Sequence, residues 1–232
     1  MKIYKHEDVE KYLENDWILE WIKQYEKEEE KAIRTHQWML EMENKRAIYA
    51  DVYGDILRAD IDLNKEVLDV VGGYNALTKL LANNCRYTLI DFMAHGGKAY
   101  LECSGGVEWY CGSWYAHQIE KDYDIVIAND IFPDVDQRME MFLDKYLPHC
   151  QELRLVVTFY NKPQFYEAKR VDDSEILTFL SWDGEITGIK LRKYLDRMMD
   201  TGENDLSGLK DNYESIFRNG RQVGYIRLKG DL

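Results

Sequence analysis

The sequence predicts an α/β fold built on a mostly parallel, doubly wound sheet, and two observations predict it. From residue 66 onward, short and continuously apolar segments alternate with amphipathic ones, which is typical of parallel strands covered by helices on both faces. Near the C-terminus, Asn219-Gly220 separates two β-type runs, and this dipeptide favours a type I′ hairpin turn. We therefore expect the parallel sheet to end in an antiparallel C-terminal hairpin.

The N-terminal quarter of the chain is predicted to be helical. Apolar residues recur at helical spacing in two stretches, which are Trp17, Ile18, Trp21, Ile22 and Tyr25, and then Ile48, Tyr49, Val52, Tyr53, Ile56 and Leu57. The charged run at 26–31 between them is typical of a solvated connector. We therefore predict an N-terminal helical cap over residues 1–60 and a Rossmann-like domain over residues 61–232.

Within the Rossmann-like domain, five apolar segments are predicted to be strands: 66–71, 86–92, 106–114, 123–130 and 153–161. Helices are predicted over residues 75–84 and 137–148, and Pro148 ends the second of them. An insertion at about 162–185 holds a further predicted strand at 176–182. Asp183 follows that strand and is predicted to cap a helix over residues 185–200.

The composition disfavours several classes of partner. The 43 acidic and 30 basic side chains give a formal net charge of −13, which disfavours binding to nucleic acid or to an anionic membrane surface. The sequence has no apolar run long enough to span a membrane and no signal peptide, so we expect a cytoplasmic protein. Its four cysteines form no CxxC pair, so no metal site is expected. Whether the chain forms a homo-oligomer stays open.

The candidate site is predicted from the places where the strands end. In a doubly wound sheet, ligands bind beyond the carboxyl ends of the strands, near the point where the strand order reverses. An acidic side chain at the end of the second strand has a clear use there, because a carboxylate accepts hydrogen bonds from both hydroxyls of a ribose. The residues predicted at the strand ends are Asp69 to Asn75, Asp91, Phe92, Ser113, Trp114, Asn129, Asp130, Tyr160 and Asn161.

The segment VLDVVGGYNAL, residues 67–77, resembles VLDxGxGxGxL, the first motif of the class I S-adenosylmethionine-dependent methyltransferases. Asp69 matches the acid of that motif and Gly73 its middle glycine. Asp91 resembles the family's ribose-binding acid, and Gly112-Ser113-Trp114 resembles the loop beside the adenine. The fourth predicted strand and its helix are also similar, and the resemblance covers roughly residues 45–230. It implies a seven-stranded sheet whose last strand is reversed.

The resemblance implies that S-adenosylmethionine is the cofactor and that a small polar metabolite or sugar-type molecule accepts the methyl group, on oxygen or nitrogen. The helix before the first strand often forms part of the family's lid, so a tyrosine hydroxyl from it is expected at the cofactor. The implied cofactor-binding residues are Tyr53, Asp69, Gly72, Gly73, Asp91, Phe92, Ser113, Trp114 and Asn129. Asp130 and Tyr160, at the strand mouths where the acceptor would lie, are the candidate catalytic residues.

The loop departs from the family pattern at two positions. Val71 stands where the first glycine belongs, and valine adopts a positive φ only at a cost. We therefore expect the strand to run one residue longer, with Gly72 supplying the flexibility. Asn75 stands where the third glycine belongs, and asparagine is the residue after glycine that best tolerates a left-handed backbone. The sequence thus predicts a modified cofactor loop.

Other interpretations stay open. Asp69 also suits a cap on the following loop, and Asp91 suits a turn at the strand end. The residues that also suit core or surface packing are Tyr49, Tyr53, Trp114, His36, His95 and His117. For the whole chain, Val71 and Asn75 motivate a second hypothesis, a catalytically silent methyltransferase-like binding domain. A nicotinamide-dependent oxidoreductase is disfavoured, because G-x-G-x-x-G is incomplete and dehydrogenase domains lack the terminal hairpin.

Overall fold

The structure, a computed structural model, describes residues 1–25, 34–59, 62–75, 77–91, 107–169, 176–199, 206–210 and 214–232. The predictions for Phe92, His95 and the charged run at 26–31 lie outside these residues, as does the side chain of His36. The chain divides into two compact units, of which one comprises residues 7–118 and the other residues 1–6 with 119–232. The predicted boundary at residue 60 stays a prediction.

The unit of residues 7–118 carries four successive helices followed by three parallel strands. The helices are α1 (His6–Leu13), α2 (Trp17–Tyr25), α3 (Arg34–Glu41) and α4 (Glu43–Leu57), and α5 (Thr78–Asn84) follows the first strand. The strands are β2 (Glu66–Val70), β3 (Arg86–Asp91) and β4 (Glu108–Cys111). β3 pairs in parallel with both β2 and β4. The element types predicted here are confirmed, although β4 is shorter than the predicted 106–114.

A buried ion pair joins the N-terminal helices of this unit. Arg46 of α4 is only 5% exposed, and its Nη2 donates to Asp16 Oδ2 at 2.7 Å. Its Nη1 donates to the carbonyl oxygens of Met39 and Leu40 at 2.8 and 3.0 Å. Because each charge-assisted bond satisfies a buried group, Arg46 fixes α4 against the end of α3 and the start of α2. That placement matters because α4 also carries Tyr49 and Tyr53.

The unit of residues 1–6 and 119–232 holds the other strands of the main sheet, in the order β1-β9-β6-β5. They are β1 (Lys2–Ile3), β5 (Tyr123–Phe132), β6 (Cys150–Phe159) and β9 (Gln222–Lys229). β5 and β6 are parallel, whereas β9 runs antiparallel to β6 and β1. With β2, β3 and β4 they make up the seven strands of a mostly parallel sheet, which confirms the predicted fold class.

The helices of this second unit begin and end near their predicted bounds. They are α6 (Met139–Tyr146) and α7 (Gly184–Leu191). Asp183 caps α7 as predicted, because its Oδ1 accepts from Ile186 N at 2.8 Å. The α-helix ends at Leu191 and continues as a 3₁₀ turn over Arg192–Arg197, short of the predicted residue 200. Over the parts of the chain that the structure describes, no helix is long and apolar enough to cross a membrane.

The turn at Asn219-Gly220 is formed, but it is not type I′. A type I′ turn needs positive φ at both central residues, and of these two only Gly220 has it, at 80°. Asn219 Oδ1 accepts from Arg221 N at 3.1 Å, a local bond that favours the turn. Residues 214–221 form no strand. The antiparallel strand predicted after the turn is confirmed as β9, which pairs with β6.

The predicted insertion holds a separate two-stranded antiparallel sheet, β7 (Gln164–Lys169) and β8 (Ile176–Ser181). The strand predicted at 176–182 is therefore confirmed. One face of this hairpin exposes Phe165, Ile176 and Leu180. On the other face, Tyr166 and Phe179 stack with their ring centroids 5.0 Å apart, which directs the Tyr166 hydroxyl toward Tyr160 in the same unit.

Candidate cofactor and acceptor sites

The loop after β2 differs from the prediction at its first residue. β2 ends at Val70, and Val71 itself adopts a left-handed backbone with φ of 60°. The expectation of a longer strand, with Gly72 as the flexible residue, is therefore wrong. Gly73, not Gly72, has the other positive φ of the loop, at 66°. Val71 N donates to Ile90 O at 2.7 Å, so β3 holds Val71 in the turn that a glycine would make.

Asn75 keeps the loop closed by a different means than the one predicted. Its φ is not positive, so the left-handed interpretation is wrong. Its side chain is buried, with Nδ2 donating to the Tyr49 hydroxyl at 3.2 Å and Oδ1 accepting from Leu77 N at 2.8 Å. Asn75 N donates to Thr78 Oγ1 at 2.9 Å. These hydrogen bonds take the place of the third family glycine.

Val71→Gly is expected to change the free energy of unfolding by less than about 1 kcal/mol. Removing the backbone strain of a β-branched residue in the left-handed region stabilises the fold by about 1–3 kcal/mol. This gain offsets the backbone entropy of glycine in the unfolded chain and the loss of a half-buried side chain. The matched control is Val70→Gly in β2, where Val70 is fully buried and the loss should exceed about 2 kcal/mol. Urea denaturation of both variants measures the difference. Equal losses of stability in the two variants would show that Val71 is not strained.

Asp69 is the buried centre of the candidate cofactor site. It lies in β2 with 1% of its surface exposed, and Tyr87 of β3 donates to its Oδ2 at 2.6 Å. Its Oδ1 makes no well-formed hydrogen bond in the described part of the chain, although the Tyr53 hydroxyl lies near enough to lower the pKa of the carboxyl. Gly72 lies directly against this carboxylate, because a Cβ built on Gly72 would be 2.5 Å from Asp69 Cγ and 2.6 Å from Oδ1. The site therefore requires glycine at position 72 and leaves one carboxylate oxygen for a ligand.

Burial raises the pKa of the Asp69 carboxyl to about 7. Desolvation is the largest cause, hydrogen bonds from Tyr87 and Tyr53 oppose it, and the negative charge of Asp91 adds to it. Since a buried carboxylate without full hydrogen bonding is costly, burial favours the protonated form of Asp69. A ligand carrying a positive charge or donating a hydrogen bond to Oδ1 would favour the ionised form.

Asp69→Asn is expected to remove a pH dependence of stability. Native Asp69 keeps its proton up to pH about 7, whereas the unfolded chain releases it near pH 4, so its contribution is present below pH 4 and lost as the pH rises to 7. The stability of the parent minus that of the variant should fall between pH 4 and 7.5 by at most about 4 kcal/mol. Urea denaturation across this range measures it. A constant difference would contradict the raised pKa.

Two tyrosines of α4 pack on the loop and on Asp69. Tyr49 and Tyr53 stack with ring centroids 4.5 Å apart, and the Tyr49 hydroxyl donates to Gly72 O at 3.1 Å. Tyr53 is fully buried, and burial together with the Asp69 charge raises the pKa of its hydroxyl well above the ordinary range. That hydroxyl has no well-formed hydrogen bond to any described residue. Tyr49 thus supports the loop, and a direct contact of Tyr53 with a cofactor stays a prediction.

Asp91 ends β3 beside Asp69, as the sequence predicts. It is 5% exposed, and its charge acts on Asp69 electrostatically. Its carbonyl oxygen accepts from Trp109 Nε1 and from Gly112 N, both at 3.3 Å. The two predicted carboxylates are therefore near enough to interact electrostatically, and Gly72 lies against one of them, Asp69. A pair of buried carboxylates suits a ligand that brings hydroxyl donors and positive charge.

The loop after β4 gives less support to the predicted cofactor contacts. Ser113 Oγ accepts from Tyr115 N at 3.2 Å, which closes a turn, and Trp114 is 3% exposed. Trp109, for which no role was predicted, stacks on Tyr74 of the glycine loop with ring centroids 6.1 Å apart and planes 2° apart. Trp109 therefore braces the loop, while roles of Ser113 and Trp114 in binding stay predictions.

The second unit brings the two candidate catalytic residues into one polar group. Asp130 has a positive φ of 63°, and its Oδ1 accepts from Arg221 Nη1 at 2.8 Å. The Tyr160 hydroxyl lies 3.5 Å from Asp134 Oδ2, and burial, before other causes, raises the pKa of Tyr160. The raised pKa keeps the Tyr160 hydroxyl protonated near pH 7, and the catalytic roles of Asp130 and Tyr160 stay predictions. Asn129, a predicted cofactor residue, is buried in the same unit, and its contact stays a prediction.

Three polar residues of these groups were missed by the sequence reasoning. Tyr87 lies inside an apolar strand, and only the parallel register of β2 and β3 shows that it reaches Asp69. Asp134 lies in a turn that carries no motif, and the Asn219-Gly220 signal predicts a turn before Arg221 but not the partner of the Arg221 side chain. Among the described residues, no group of three His, Cys, Asp or Glu side chains is arranged to hold a metal ion.

The fold is the Rossmann-like α/β fold of the class I methyltransferases. The structure resembles that of DhpI in complex with S-adenosylhomocysteine, with a TM-score of 0.52 and 14% identity over 92% of this chain and 98% of that one. It also resembles the N-terminal domain of EvdMO1, crystallised in the presence of S-adenosylhomocysteine and D-fucose, with a TM-score of 0.52 and 9% identity over 92% and 96%. At these identities the likeness shows the fold. No family model matches the chain, and no curated protein matches it.

Proposed function

We propose that the protein is an S-adenosylmethionine-dependent methyltransferase that acts on a small polar or sugar-type acceptor. The observation that carries the proposal is the Asp69 carboxylate, buried with one unpartnered oxygen against Gly72. Asp91 lies beside it, at the position where the resembled family holds a ribose. S-adenosylmethionine suits such a place, because it has two ribose hydroxyls, an ammonium group and a positively charged sulfur.

When bound, S-adenosylmethionine supplies a methyl group already activated on a positively charged sulfur. The work left to the chain is binding and orientation. Asp91 would accept hydrogen bonds from ribose hydroxyls, and Asp69 would take its ionised form against the positive charge of the ligand. Gly72 and Gly73 would let the backbone approach. Tyr49 and Asn75 would hold the loop in shape, through their hydrogen bonds to Gly72 and to each other.

The acceptor is proposed to bind in the second unit, where Asp130 and Tyr160 lie. The predicted insertion supports this assignment, because β7 brings the Tyr166 hydroxyl to 3.3 Å from that of Tyr160. The net charge of −13 also favours a neutral or cationic acceptor over an anionic one. Transfer to oxygen or to nitrogen, a cytoplasmic location and self-association stay predictions from the sequence.

The proposal is tested in two steps, binding and turnover. Thermal denaturation with S-adenosylmethionine, S-adenosylhomocysteine and NADH should show stabilisation by the first two, by about 2.7 kcal/mol at 100 times the dissociation constant. Release of S-adenosylhomocysteine from S-adenosylmethionine, in the presence of sugars, polyols and amines, then measures turnover. Asp91→Ala, which should be stabilised less by both ligands and should release less S-adenosylhomocysteine than the parent at the same S-adenosylmethionine concentration, is the matched variant.

Val71 and Asn75 favour one second candidate, a methyltransferase-like domain that binds without catalysing. Both replace family glycines, and Val71 holds its turn under backbone strain. That candidate predicts that S-adenosylhomocysteine stabilises the chain, but that no acceptor causes S-adenosylmethionine to be converted to S-adenosylhomocysteine. Stabilisation by NADH alone would contradict both candidates and favour an oxidoreductase.

A further inference from the structure

A second group of buried polar residues lies in the unit of residues 1–6 and 119–232. We call it the Asp134 cluster, and it consists of Asp130, Asp134, Tyr160, Ser181 and Arg221. These residues lie at or just beyond the ends of β5, β6 and β8 and just before β9. The side chains of Asp130 and Arg221 are 33% and 17% exposed, so the cluster reaches the surface through this ion pair.

Three atoms of the Asp134 cluster are buried without a hydrogen bond among the residues that the structure describes. They are Asp134 Oδ1, Ser181 Oγ and Arg221 Nε. The nearby Ser181 and Thr158 hydroxyls and the Arg221 charge all act to lower the pKa of Asp134, but none of the three buried atoms makes a hydrogen bond of full geometry to a described residue. Asp134 is 6% exposed and Ser181 is fully buried. Leaving a buried polar group unsatisfied costs about 1–3 kcal/mol, and more for a charged one, so several in one place indicate a ligand that satisfies them.

The chemistry of these atoms selects the ligand. When it is ionised, Asp134 Oδ1 can only accept a hydrogen bond. Arg221 Nε can only donate one, and Ser181 Oγ can do both. A hydroxyl group also does both, so adjacent hydroxyls satisfy all three atoms, whereas a carboxylate or phosphate offers Asp134 no donor. The two carboxylates of the cluster outnumber its guanidinium, and Arg221 is already paired with Asp130, so an anion would be repelled.

We propose that the Asp134 cluster binds a neutral polyol or sugar, whose hydroxyls donate to Asp134 Oδ1 and accept from Arg221 Nε. That this ligand is the methyl acceptor rests on the function proposed above. In that role, Asp134 would take the proton of the sugar hydroxyl whose oxygen bonds the methyl carbon, while the carbon–sulfur bond of S-adenosylmethionine breaks and S-adenosylhomocysteine leaves. Burial raises the pKa of Asp134, which suits a group that receives a proton. Asp130 is then a positioning residue that holds Arg221.

The binding claim is tested on the full chain by saturation-transfer difference NMR with D-glucose and glycerol. The matched negative probe is D-glucuronate, which differs from D-glucose only by a carboxylate at C6. We expect saturation transfer from the protein to both polyols, and D-glucuronate should bind at least tenfold more weakly than D-glucose. Asp134→Asn should weaken binding of D-glucose at least tenfold, because an amide cannot accept as a carboxylate does. Asp122→Asn, at an exposed carboxylate beside His149, should leave it unchanged.

A second variant tests the same cluster in case Asp134→Asn does not fold. Ser181→Ala removes one unpartnered oxygen with little change in volume and should weaken binding of D-glucose several-fold. The melting temperature and the affinity for S-adenosylhomocysteine show whether each variant is folded. Transfer to neither polyol, equal binding of D-glucuronate and D-glucose, or parental binding in folded variants at both positions would each overturn the proposal.

The outcomes for the two proposals are separable. Binding of S-adenosylhomocysteine without binding of either polyol overturns the polyol site and leaves the methyltransferase proposal standing. Binding of polyols that depends on Asp134, without any binding of S-adenosylhomocysteine, supports the polyol site and overturns methyl transfer as its purpose.

Discussion

Gly72→Ala is expected to abolish binding of S-adenosylhomocysteine, with a loss of affinity above 100-fold, or about 2.7 kcal/mol. The added Cβ would lie about 2.5 Å from Asp69 Cγ, which is far inside van der Waals contact, so the carboxylate must move. Movement would break the hydrogen bond from Tyr87 to Asp69 and fill the space beside the unpartnered oxygen. Calorimetric titration with S-adenosylhomocysteine measures the affinity, and overpacking should cost about 1–3 kcal/mol of stability.

Gly188→Ala is the matched control for Gly72→Ala. Gly188 lies in α7, and its added Cβ would meet Leu209 Cδ1 at 3.6 Å, an ordinary contact. The control should bind as the parent does and gain up to about 1 kcal/mol of stability from helix propensity. If Gly72→Ala bound S-adenosylhomocysteine as well as Gly188→Ala did, Asp69 would have no part in a cofactor site.

Asp91→Ala is expected to weaken binding of S-adenosylhomocysteine by about 1.5–3 kcal/mol, the range for hydrogen bonds to a charged group. This corresponds to about 10- to 150-fold in affinity. Removal of the Asp91 charge should also lower the pKa of Asp69, because that charge is one of the causes that raise it. Calorimetry measures the first effect, and NMR titration of the Asp69 carboxyl measures the second.

The two readouts of Asp91→Ala separate a binding role from a local structural one. A residue that only ends β3 would leave the affinity unchanged in a folded variant, even if the pKa of Asp69 fell. Asp91→Asn keeps the size but loses the charge, so it should recover part of the stability and little of the affinity. Full recovery of affinity by asparagine would contradict a bidentate carboxylate contact with a ribose.

The positions of the strands along the chain, and the acidic residues at their ends, could be predicted from the sequence. Apolar segments identify strands directly, and Asp69 and Asp91 lie in β2 and β3 because their positions follow from the strand boundaries. The cap at Asp183 was also predictable, because capping depends on residues three apart. Such features are local, so local sequence determines them.

The conformation of Val71 could not be predicted, because the preference of valine alone opposes it. The hydrogen bond from Val71 N to Ile90 O of β3 and the close packing of Gly72 against Asp69 hold the turn. These are tertiary effects, and they override the local preference of valine. The Asp134 and Arg221 members of the Asp134 cluster were missed for a related reason. Asp134 and Arg221 are far apart in the sequence, and only the topology of β5, β6 and β9 brings them together.

The central claim is that the loop after β2 binds S-adenosylmethionine, and one calorimetric titration tests it most directly. The parent chain is titrated with S-adenosylhomocysteine, and S-adenosylmethionine then competes for the same site. The predicted result is one site per chain with a dissociation constant below about 100 μM, equivalent to about −5.5 kcal/mol or tighter, displaced by S-adenosylmethionine and not by NADH. No heat and no competition at millimolar concentration would contradict it.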